Sequence, residues 1–249
     1  MTAAPRQIVL LAAGMGTRLG ELGGGLPKAL FDAAGRKLLD RALDFAELLG
    51  ADERIVVGGS QYDLLEAHLA AQPPRTGLTV LENENFRAGN LFTLETALPD
   101  ILGPFHLMNI DHVYPDAVAA RILAQPGEAI TAFVDFDRVL GDDDMKVALD
   151  PTPAADGTRH VHMISKRLPS WDCGYVGMTY VPGHKLATYR AAVAAVRATA
   201  GDAANVEAVL QYLADIGEPV AIGDISGIGW HELDTPEDVA KALPALSKL

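Results

Sequence analysis

Cysteine, long apolar runs and positive charge are all scarce in this sequence of 249 residues. The one cysteine, Cys173, excludes an internal disulfide framework and suits a reducing cytoplasm. No stretch approaches the roughly 20 apolar residues of a membrane span, and the apolar run near the N-terminus is too short for a signal peptide. Lys and Arg number 20 against 33 Asp and Glu, and the net charge of −13 disfavours binding to duplex nucleic acid. We therefore expect a cytoplasmic protein that neither inserts into a membrane nor binds nucleic acid.

Short apolar segments alternate with amphipathic segments along most of the chain. Residues 7–13 (QIVLLAA) and 104–111 predict buried strands, and intervening segments such as 36–50 predict helices. From residue 142 to 182 the pattern changes to three shorter strand-like segments, which predict an antiparallel excursion. This alternation is typical of a largely parallel α/β sheet. Because there is no repeat, low-complexity tract or linker, we predict a single domain over residues 1–249.

The first predicted strand runs into a glycine-rich stretch, VLLAAGMGTRLGELGGGLPKAL, at residues 9–30. In an open α/β sheet, ligands bind beyond the carboxyl ends of the strands, which is where this loop lies. Gly14, Gly16 and Gly20 allow backbone N–H groups to approach an anion, and a helix start after the loop would favour negative charge. The stretch predicts a phosphate-binding loop that carries two cations, Arg18 and Lys28. A glycine-rich turn without a ligand is the alternative.

Two familiar phosphate-binding motifs do not account for this loop. A P-loop ends in Gly-Lys-Ser or Gly-Lys-Thr, which GMGTRLGE lacks. The dinucleotide fingerprint G-x-G-x-x-G places its third glycine one residue earlier than Gly20, and it does not explain Arg18 or Lys28.

The whole string resembles the signature of the nucleotidyltransferases that make sugar and alcohol nucleotides from a nucleoside triphosphate and a phosphomonoester. That signature is roughly L-A-A-G-x-G-x-R-L, a short spacer, and then P-K. The resemblance implies a single-domain, Rossmann-like, three-layer α/β fold with a mixed, mostly parallel sheet. It also implies that Arg18 and Lys28 are catalytic, since they would neutralise the triphosphate and the departing pyrophosphate. The loop residues that it assigns to nucleotide binding are Leu11, Ala12, Ala13, Gly14, Gly16, Thr17, Arg18 and Lys28.

Three acidic residues lie in two further segments of the same resemblance. HLMNIDHVYPD is an apolar strand that ends in Asp111, while GWHELDTPEDVAKA carries Glu232 and Asp234, two apart and so on one face of an extended segment. Helix capping is the alternative for Asp111 and Asp234. The M-x-D-H-V-Y string closely resembles inositol-1-phosphate cytidylyltransferases. This resemblance implies that Asp111, beside the nucleotide, holds a catalytic Mg²⁺ together with Glu232 and Asp234.

The segment ENENFRAGNLFTLETAL resembles a stretch of the cytidylyltransferases for inositol phosphate and choline phosphate. The resemblance implies that Gly89 and Asn90 lie near the nucleotide. The alternative for Asn90 is a helix cap. Gly59 and Ser60, at the end of the second predicted strand, are weaker candidates for nucleotide neighbours.

Three residues in the second half of the chain resemble the acceptor side of these enzymes. Lys146 and Lys166 match lysine-bearing strands, and Asp172 lies where relatives carry D-T-G or D-C-G. The resemblance implies that all three bind the acceptor, and that Lys166 is catalytic because it steers the acceptor phosphate. A solvated strand position is the alternative for Lys146, and a simple turn is the alternative for Asp172.

The resemblance extends from Ile8 to about residue 242 and implies a Mg²⁺-dependent enzyme. It would join CTP to a phosphomonoester such as inositol 1-phosphate, giving a CDP-alcohol and pyrophosphate. Choline phosphate, a phosphonate or a sugar 1-phosphate stays open as acceptor, and a uracil or guanine nucleotide stays open as donor. A choline site would need an aromatic cage, for which the candidates are Trp171, Tyr175, Tyr180 and Trp230.

Two other classes of protein fit the sequence less well. A Rossmann-type NAD oxidoreductase is disfavoured by the late third glycine and by the two cations beside it. A nucleotide-sensing domain without catalysis is disfavoured because carboxylates stand at both expected metal positions.

Overall fold

A computed structural model describes residues 6–125 and 127–247 of the chain. Its centre is a nine-stranded mixed sheet, and two short strands form a second, separate sheet. The central strands are β1 (Gln7–Leu11), β2 (Glu53–Gly58), β3 (Leu78–Glu82), β4 (Phe105–Asn109), β6 (Ile130–Asp135), β7 (Lys146–Leu149), β8 (Val161–Ser165), β9 (Cys173–Val181) and β10 (Val220–Asp224). The separate pair is β5 (His112–Val113) and β11 (His231–Glu232).

The main row of the sheet has the order β10-β6-β9-β4-β1-β2-β3. Neighbouring strands in this row are parallel except at β9, which is antiparallel to both β4 and β6. The predicted antiparallel excursion is confirmed, since β7 pairs antiparallel with β8 and β9. The last strand of this excursion, β9, lies inside the main row between β6 and β4. Eight of its nine residues are buried. A strand that is apolar on both faces is stable only where helices cover both faces.

Helices cover both faces of the sheet and give three layers. Alternation along β1 separates the two cores, since Ile8 and Leu10 pack in one and Val9 and Leu11 in the other. The predicted mostly parallel, three-layer α/β fold is therefore confirmed. The first core includes residues of α1 (Leu38–Leu48), α2 (Tyr62–Ala70), α4 (Asp116–Leu123) and α7 (Pro236–Leu246). The second includes residues of α3 (Leu91–Ala97), α5 (Leu186–Ala200) and α6 (Val206–Asp215).

Local sequence signals explain where some of the helices begin or end. Gly50, with a φ of 68°, follows the last turn of α1, as its position in the sequence predicts. Thr235 accepts a hydrogen bond from the backbone of Asp238 at the start of α7, in a capping box with Pro236 in the first turn. The apolar pattern of residues 90–102 is typical of a helix, but α3 ends at Ala97 and gives way to a 3-10 turn that contains Pro99.

The helix start expected directly after the glycine loop is wrong. Residues Thr17–Gly23 form 3-10 turns that are interrupted at Gly20, whose φ of 57° and ψ of −134° are not helical. A helix dipole therefore contributes little at this loop, and its backbone N–H groups and cations must supply the positive potential.

Lowering the pH should destabilise the fold through His106 in β4. Burial lowers the pKa of His106 to about 4, from an ordinary value of 6.5. Below pH 6.5 His106 binds a proton in the unfolded chain but not in the folded protein. The free energy of unfolding therefore falls between pH 6.5 and 4, by about 3 kcal/mol in all. The ring packs against Tyr180 with centroids 4.8 Å apart and planes tilted by 43°, so His106→Phe keeps the packing but not the titration. Urea unfolding should show a smaller loss of stability for His106→Phe over this pH range. The exposed control His184→Gln should behave like the unmodified protein, and an unchanged slope in His106→Phe would contradict the assignment.

Within residues 6–125 and 127–247, no helix combines the length and the apolar character needed to cross a membrane.

Candidate active site

The glycine-rich loop, both of its cations and two of the predicted carboxylates surround one cavity of ≈ 300 Å³ at the carboxyl ends of β1 and β4. Parallel neighbours bring their carboxyl ends to the same edge of a sheet, which is why residues so far apart in sequence meet here. The cavity is lined by Leu11, Ala13, Gly14, Met15, Gly16, Thr17, Arg18, Lys28, Asn90, Thr93, Asn109, Ile110, Asp111 and Asp234. Of the predicted loop residues Ala12 is outside this lining, because it is buried and its N–H continues the pairing to Val57.

Lys28 is held against the glycine loop by the backbone of both segments. Its N–H donates to the carbonyl of Gly14 over 3.1 Å. Gly16 has a φ of 67°, and a Cβ there would lie 3.3 Å from Cα of Lys28. The two glycines thus permit the close approach that brings the P-K half of the motif onto the first half.

Four charged side chains form one network at the floor of the cavity. The Lys28 ammonium donates to Oδ2 of Asp111 over 2.6 Å and to Oδ1 of Asp234 over 2.5 Å. Arg18 lies 2.8 Å from the other oxygen of Asp234. The side chains of Lys28 and Asp234 are 8% and 10% exposed, so water screens these interactions little.

Attraction within this network decides the charge of its members. Burial alone would lower the pKa of Lys28, but Asp111 and Asp234 outweigh it and raise the pKa above its usual 10.5. Burial would raise the pKa of Asp111, yet Lys28 and His112 hold that pKa well below its ordinary range. The pKa of Glu232 is raised, mainly by burial. The positive charge of His112 lowers this pKa, but the negative charges of Asp111 and Asp234 add to the effect of burial. The cavity therefore has a lysinium and an ionised Asp111 at its floor at neutral pH.

The small sheet of β5 and β11 brings the two acidic segments together. Glu232 is paired with His112, and the N–H of Leu233 donates to the carbonyl of Asp111 over 2.8 Å. Asp234 is the next residue, directly before the capping residue of α7. Its carboxylate and that of Asp111 therefore both contact the ammonium of Lys28. The motif around 111 and the motif around 234 thus act as one unit although more than a hundred residues separate them.

The three predicted metal ligands do not form a ready-made three-ligand site. Asp111 and Asp234 converge on Lys28, whereas Glu232 lies 3.8 Å from Arg138. Among the residues that the structure describes, no group of three His, Cys, Asp or Glu side chains is arranged to hold a metal ion. Two carboxylates beside a cavity of ≈ 300 Å³ still suit Mg²⁺, which often binds one or two carboxylates and completes its shell with substrate phosphates and waters. The role of all three residues as ligands stays a prediction.

The structure separates the three residues predicted for the acceptor. Lys166 is 44% exposed and lies 3.8 Å from Asp143, which in turn is 3.7 Å from Arg18, so Lys166 stands on the side of the cavity. Lys146 is buried, and its ammonium donates to the carbonyls of Gly141, Asp144 and Lys166. The solvated alternative for Lys146 is therefore wrong, and an acceptor contact is disfavoured because backbone oxygens already occupy its donors.

Asp172 is likewise engaged with the protein. Its Oδ2 accepts from the N–H of Leu149 over 2.8 Å, and Oδ1 lies 3.6 Å from Arg159. The carboxylate ties the start of β9 to β7, which favours the structural alternative over contact with acceptor hydroxyls.

Asn90 and Gly89 differ in where they lie relative to the cavity. Asn90 lines it, and the side-chain oxygen accepts from Val206 at the start of α6 over 2.9 Å, so it does not cap its own helix. Gly89 lies outside the lining, and a Cβ there would lie 1.8 Å from the carbonyl oxygen of Ala204. Gly89 therefore serves the contact between the starts of α3 and α6.

Gly59 and Ser60 also support the loop from outside the cavity. The N–H of Ser60 donates to Ala13 over 3.1 Å, and a Cβ at Gly59 would lie 2.8 Å from Cβ of Ala13.

Sequence reasoning missed several residues at this site. Asn109 and Thr93 line the cavity, and Thr93 accepts a hydrogen bond from Asn83. The position of Asn109 at the end of the strand before Asp111 was an available signal. Glu207 in the first turn of α6 is buried, and burial raises its pKa while Lys166 is among the charges that lower it. No sequence signal marks Glu207, because a glutamate at the start of an amphipathic helix is ordinarily solvated.

The four aromatic residues considered for a choline cage lie in different environments. Trp230 is buried against His112, Tyr175 is buried with its hydroxyl on Thr179, Tyr180 packs on His106, and Trp171 lies over Lys146.

This fold and cavity place the chain among the nucleoside triphosphate transferases with a three-layer α/β architecture. More particularly, residues 8–216 match the MobA-like NTP transferase domain, and the chain belongs to that family. The family assignment agrees with the resemblance carried by the glycine-rich loop.

Three comparisons describe what the chain is similar to. It is 30% identical over 237 residues to a bifunctional IPC transferase and DIPP synthase of Rubrobacter xylanophilus, covering 92% of this chain and 49% of that protein. It is 33% identical over 148 residues to an N-acetylmuramate alpha-1-phosphate uridylyltransferase of Caulobacter vibrioides, covering 56% and 57%. The inositol-1-phosphate CTP transferase from T. maritima superposes with a TM-score of 0.81 at 22% identity, over 99% of this chain and 96% of that one, which supports the fold. The chain spans about half the length of the bifunctional relative.

Proposed function

We propose that residues 1–249 act as one Mg²⁺-dependent cytidylyltransferase that joins CTP to a phosphorylated alcohol, with inositol 1-phosphate as the leading acceptor. The observation that carries the proposal is the single cavity shared by the glycine loop, Arg18, Lys28, Asp111 and Asp234. It combines backbone donors and cations for a triphosphate with two carboxylates for a hard cation. The naming of the Rubrobacter relative and of the T. maritima structure favours CTP and inositol phosphate.

The chemistry would be an in-line transfer at phosphorus. An oxygen of the acceptor phosphate forms a bond to the α-phosphorus of CTP, the bond from that phosphorus to the bridging oxygen breaks, and pyrophosphate leaves with the electron pair. A phosphomonoester is already nucleophilic at neutral pH, so the protein contributes mainly position and charge neutralisation. Magnesium, held by Asp111 and Asp234 with Glu232 nearby, would supply positive charge for the phosphates.

The side chains of the protein have separate tasks in this proposal. Backbone N–H groups of residues 14–18 and the guanidinium of Arg18 face the triphosphate. Lys28 offsets the charge of the two carboxylates where that anion must approach. Lys166, exposed beside Asp143, is the cation that meets the phosphate of the acceptor.

The aromatic residues and the comparisons decide the order of the acceptor candidates. Choline phosphate is disfavoured because the candidate aromatic residues do not gather around the cavity. The 33% identity to a uridylyltransferase favours UTP with a sugar 1-phosphate as the second candidate.

Pyrophosphate release in the presence of Mg²⁺ tests the proposal directly. Four nucleoside triphosphates should be crossed with inositol 1-phosphate, choline phosphate, a phosphonate and several sugar 1-phosphates. We expect release with CTP and inositol 1-phosphate. Release with UTP and a sugar phosphate alone would replace the leading function by the second candidate, and absence of nucleotide binding would refute both.

Replacing Lys166 should weaken use of the acceptor without harming the fold. A hydrogen bond to a charged group is worth about 1.5–3 kcal/mol, so Lys166→Met should raise the KM for the acceptor phosphate about 10- to 100-fold. The KM for CTP and the thermal unfolding temperature should stay close to those of the unmodified protein. The matched variant Lys146→Met should show the opposite pattern, with a lower unfolding temperature and little change in the KM for the acceptor. The unfolding temperature falls because three backbone carbonyls lose their donor. An unchanged acceptor KM in Lys166→Met would contradict the role of Lys166.

A further inference from the structure

His112 is hydrogen-bonded to Asp111, the carboxylate on which the proposed reaction depends. Its Nδ1 lies 2.7 Å from Oδ1 of Asp111, and a carboxylate only accepts, so Nδ1 carries the proton and donates. The other oxygen, Oδ2, accepts from Lys28 over 2.6 Å. Each oxygen of Asp111 thus accepts from a different side chain, and of the two donors only Lys28 lines the cavity.

The imidazole ring is itself held in place on both sides. It is 7% exposed and stacks on Trp230 with centroids 5.1 Å apart and planes 11° from parallel. A Cβ at Gly177 would lie 2.6 Å from Nε2, and Gly177 has a φ of 74°, which glycine adopts most readily. The indole of Trp230 donates to Asp135 over 3.0 Å. The ring therefore cannot rotate away from Asp111 without moving buried neighbours.

We propose that His112 is a positioning residue, which fixes the carboxylate of Asp111 so that Oδ2 stays directed at Lys28 and into the cavity. This inference rests on the proposed function, since nucleotidyl transfer is what gives the orientation of Asp111 its value. A carboxylate without the imidazole donor could turn about its side-chain bonds, and a misdirected group loses much of its effect in a preorganised site.

Two variants separate the hydrogen bond from the ring. His112→Asn places an amide N–H close to the position of Nδ1 and so keeps the donor, but it loses the stacking on Trp230. His112→Phe keeps an aromatic ring on Trp230 and loses the donor. Loss of a partner that orients a functional ligand typically costs about 10- to 100-fold in activity, and we expect this loss of kcat in His112→Phe. His112→Asn should keep kcat within about threefold, which is the rescue expected of the conservative donor.

Thermal unfolding distinguishes positioning from a structural role. We expect the unfolding temperature to fall further in His112→Asn, which loses the stacking on Trp230, than in His112→Phe, which loses one hydrogen bond, the opposite order to kcat. The proposal would be overturned if kcat followed the unfolding temperature in both variants, or if His112→Phe kept full activity.

A crystal structure gives a readout that does not depend on turnover. In His112→Phe the Asp111 side chain should leave the orientation in which Oδ2 meets Lys28, and in His112→Asn it should keep it. An unmoved Asp111 in His112→Phe would refute the positioning role even with an inactive protein. Absence of pyrophosphate release from the unmodified protein, by contrast, would refute the proposed function and leave this structural test intact.

Discussion

Replacing Asp111 with asparagine should lower the rate of nucleotidyl transfer by about 10²- to 10³-fold, the usual cost of removing one preorganised electrostatic group from an active site. The amide has nearly the same shape, so the packing of β4 and β5 should survive. It carries no negative charge, however, and would direct an N–H group toward either Lys28 or His112, which both donate to Asp111. Lys28 would keep Asp234 as its partner, so the floor of the cavity should stay assembled but with less negative charge for a divalent cation.

Steady-state pyrophosphate release at saturating Mg²⁺ measures this effect, and circular dichroism checks the fold. The matched control is Asp116→Asn, an exposed acid five residues further on that starts α4. We expect normal turnover in the control and a native spectrum in both variants. Turnover of Asp111→Asn within a few-fold of the unmodified protein would exclude Asp111 from the reaction.

The strongest parts of the site could be predicted because they are local in sequence. Gly14, Gly16, Arg18 and Lys28 lie within one stretch, and each residue type has a specific physical use beside a triphosphate. Asp111 could be predicted from the sequence because it ends an apolar strand at the edge of the sheet where ligands bind. The fold class followed from the alternation of strands and helices for the same reason, since both periodicities are properties of short segments.

The features that the sequence could not show are contacts between distant parts of the chain. Lys146 and Lys166 both border strand-like segments in the sequence, and only the fold of residues 141–144 shows that backbone carbonyls bind Lys146. Gly89 looked like a nucleotide neighbour, yet its small size is needed where Ala204 approaches from more than a hundred residues away. The position of β9 inside the sheet was likewise invisible, because strand order depends on long-range pairing.

The pairing of Lys28 with two carboxylates was also beyond the sequence, and it leads to the second large effect. Lys28→Met should cost about 2–4 kcal/mol of stability at neutral pH, because Asp111 and Asp234 lose the cation that they share and only Arg18 still pairs with Asp234. This figure is at the lower end for a buried pair since the Asp111 side chain is 19% exposed. Transfer activity should fall with it, because the excess negative charge repels a triphosphate.

The pH dependence of this loss has a definite sign. Lys28 helps to hold the pKa of Asp111 below its ordinary range, so this stabilisation is present above the unfolded pKa and is lost as pH falls. In Lys28→Met the pKa of Asp111 loses one of the two charges that lower it, so less of this stabilisation is present to be lost. The gap in unfolding free energy between the two proteins should therefore shrink from pH 7.5 to pH 3.5, across the ordinary pKa of an aspartate. Urea unfolding at the two pH values measures it.

A divalent cation should reverse part of the same loss. With the lysine absent, its ammonium no longer competes for Asp111 and Asp234, so Mg²⁺ should bind them more tightly and raise the unfolding temperature of Lys28→Met more than that of the unmodified protein. The control Lys241→Met removes an exposed lysine from α7 and should show no such excess. Equal stabilisation of all three proteins by Mg²⁺ would mean that Lys28 does not compete with the cation for Asp111 and Asp234. A larger effect confined to Lys28→Met would place the lysine and the metal on the same two carboxylates, which the 2.6 and 2.5 Å contacts of the ammonium lead us to expect.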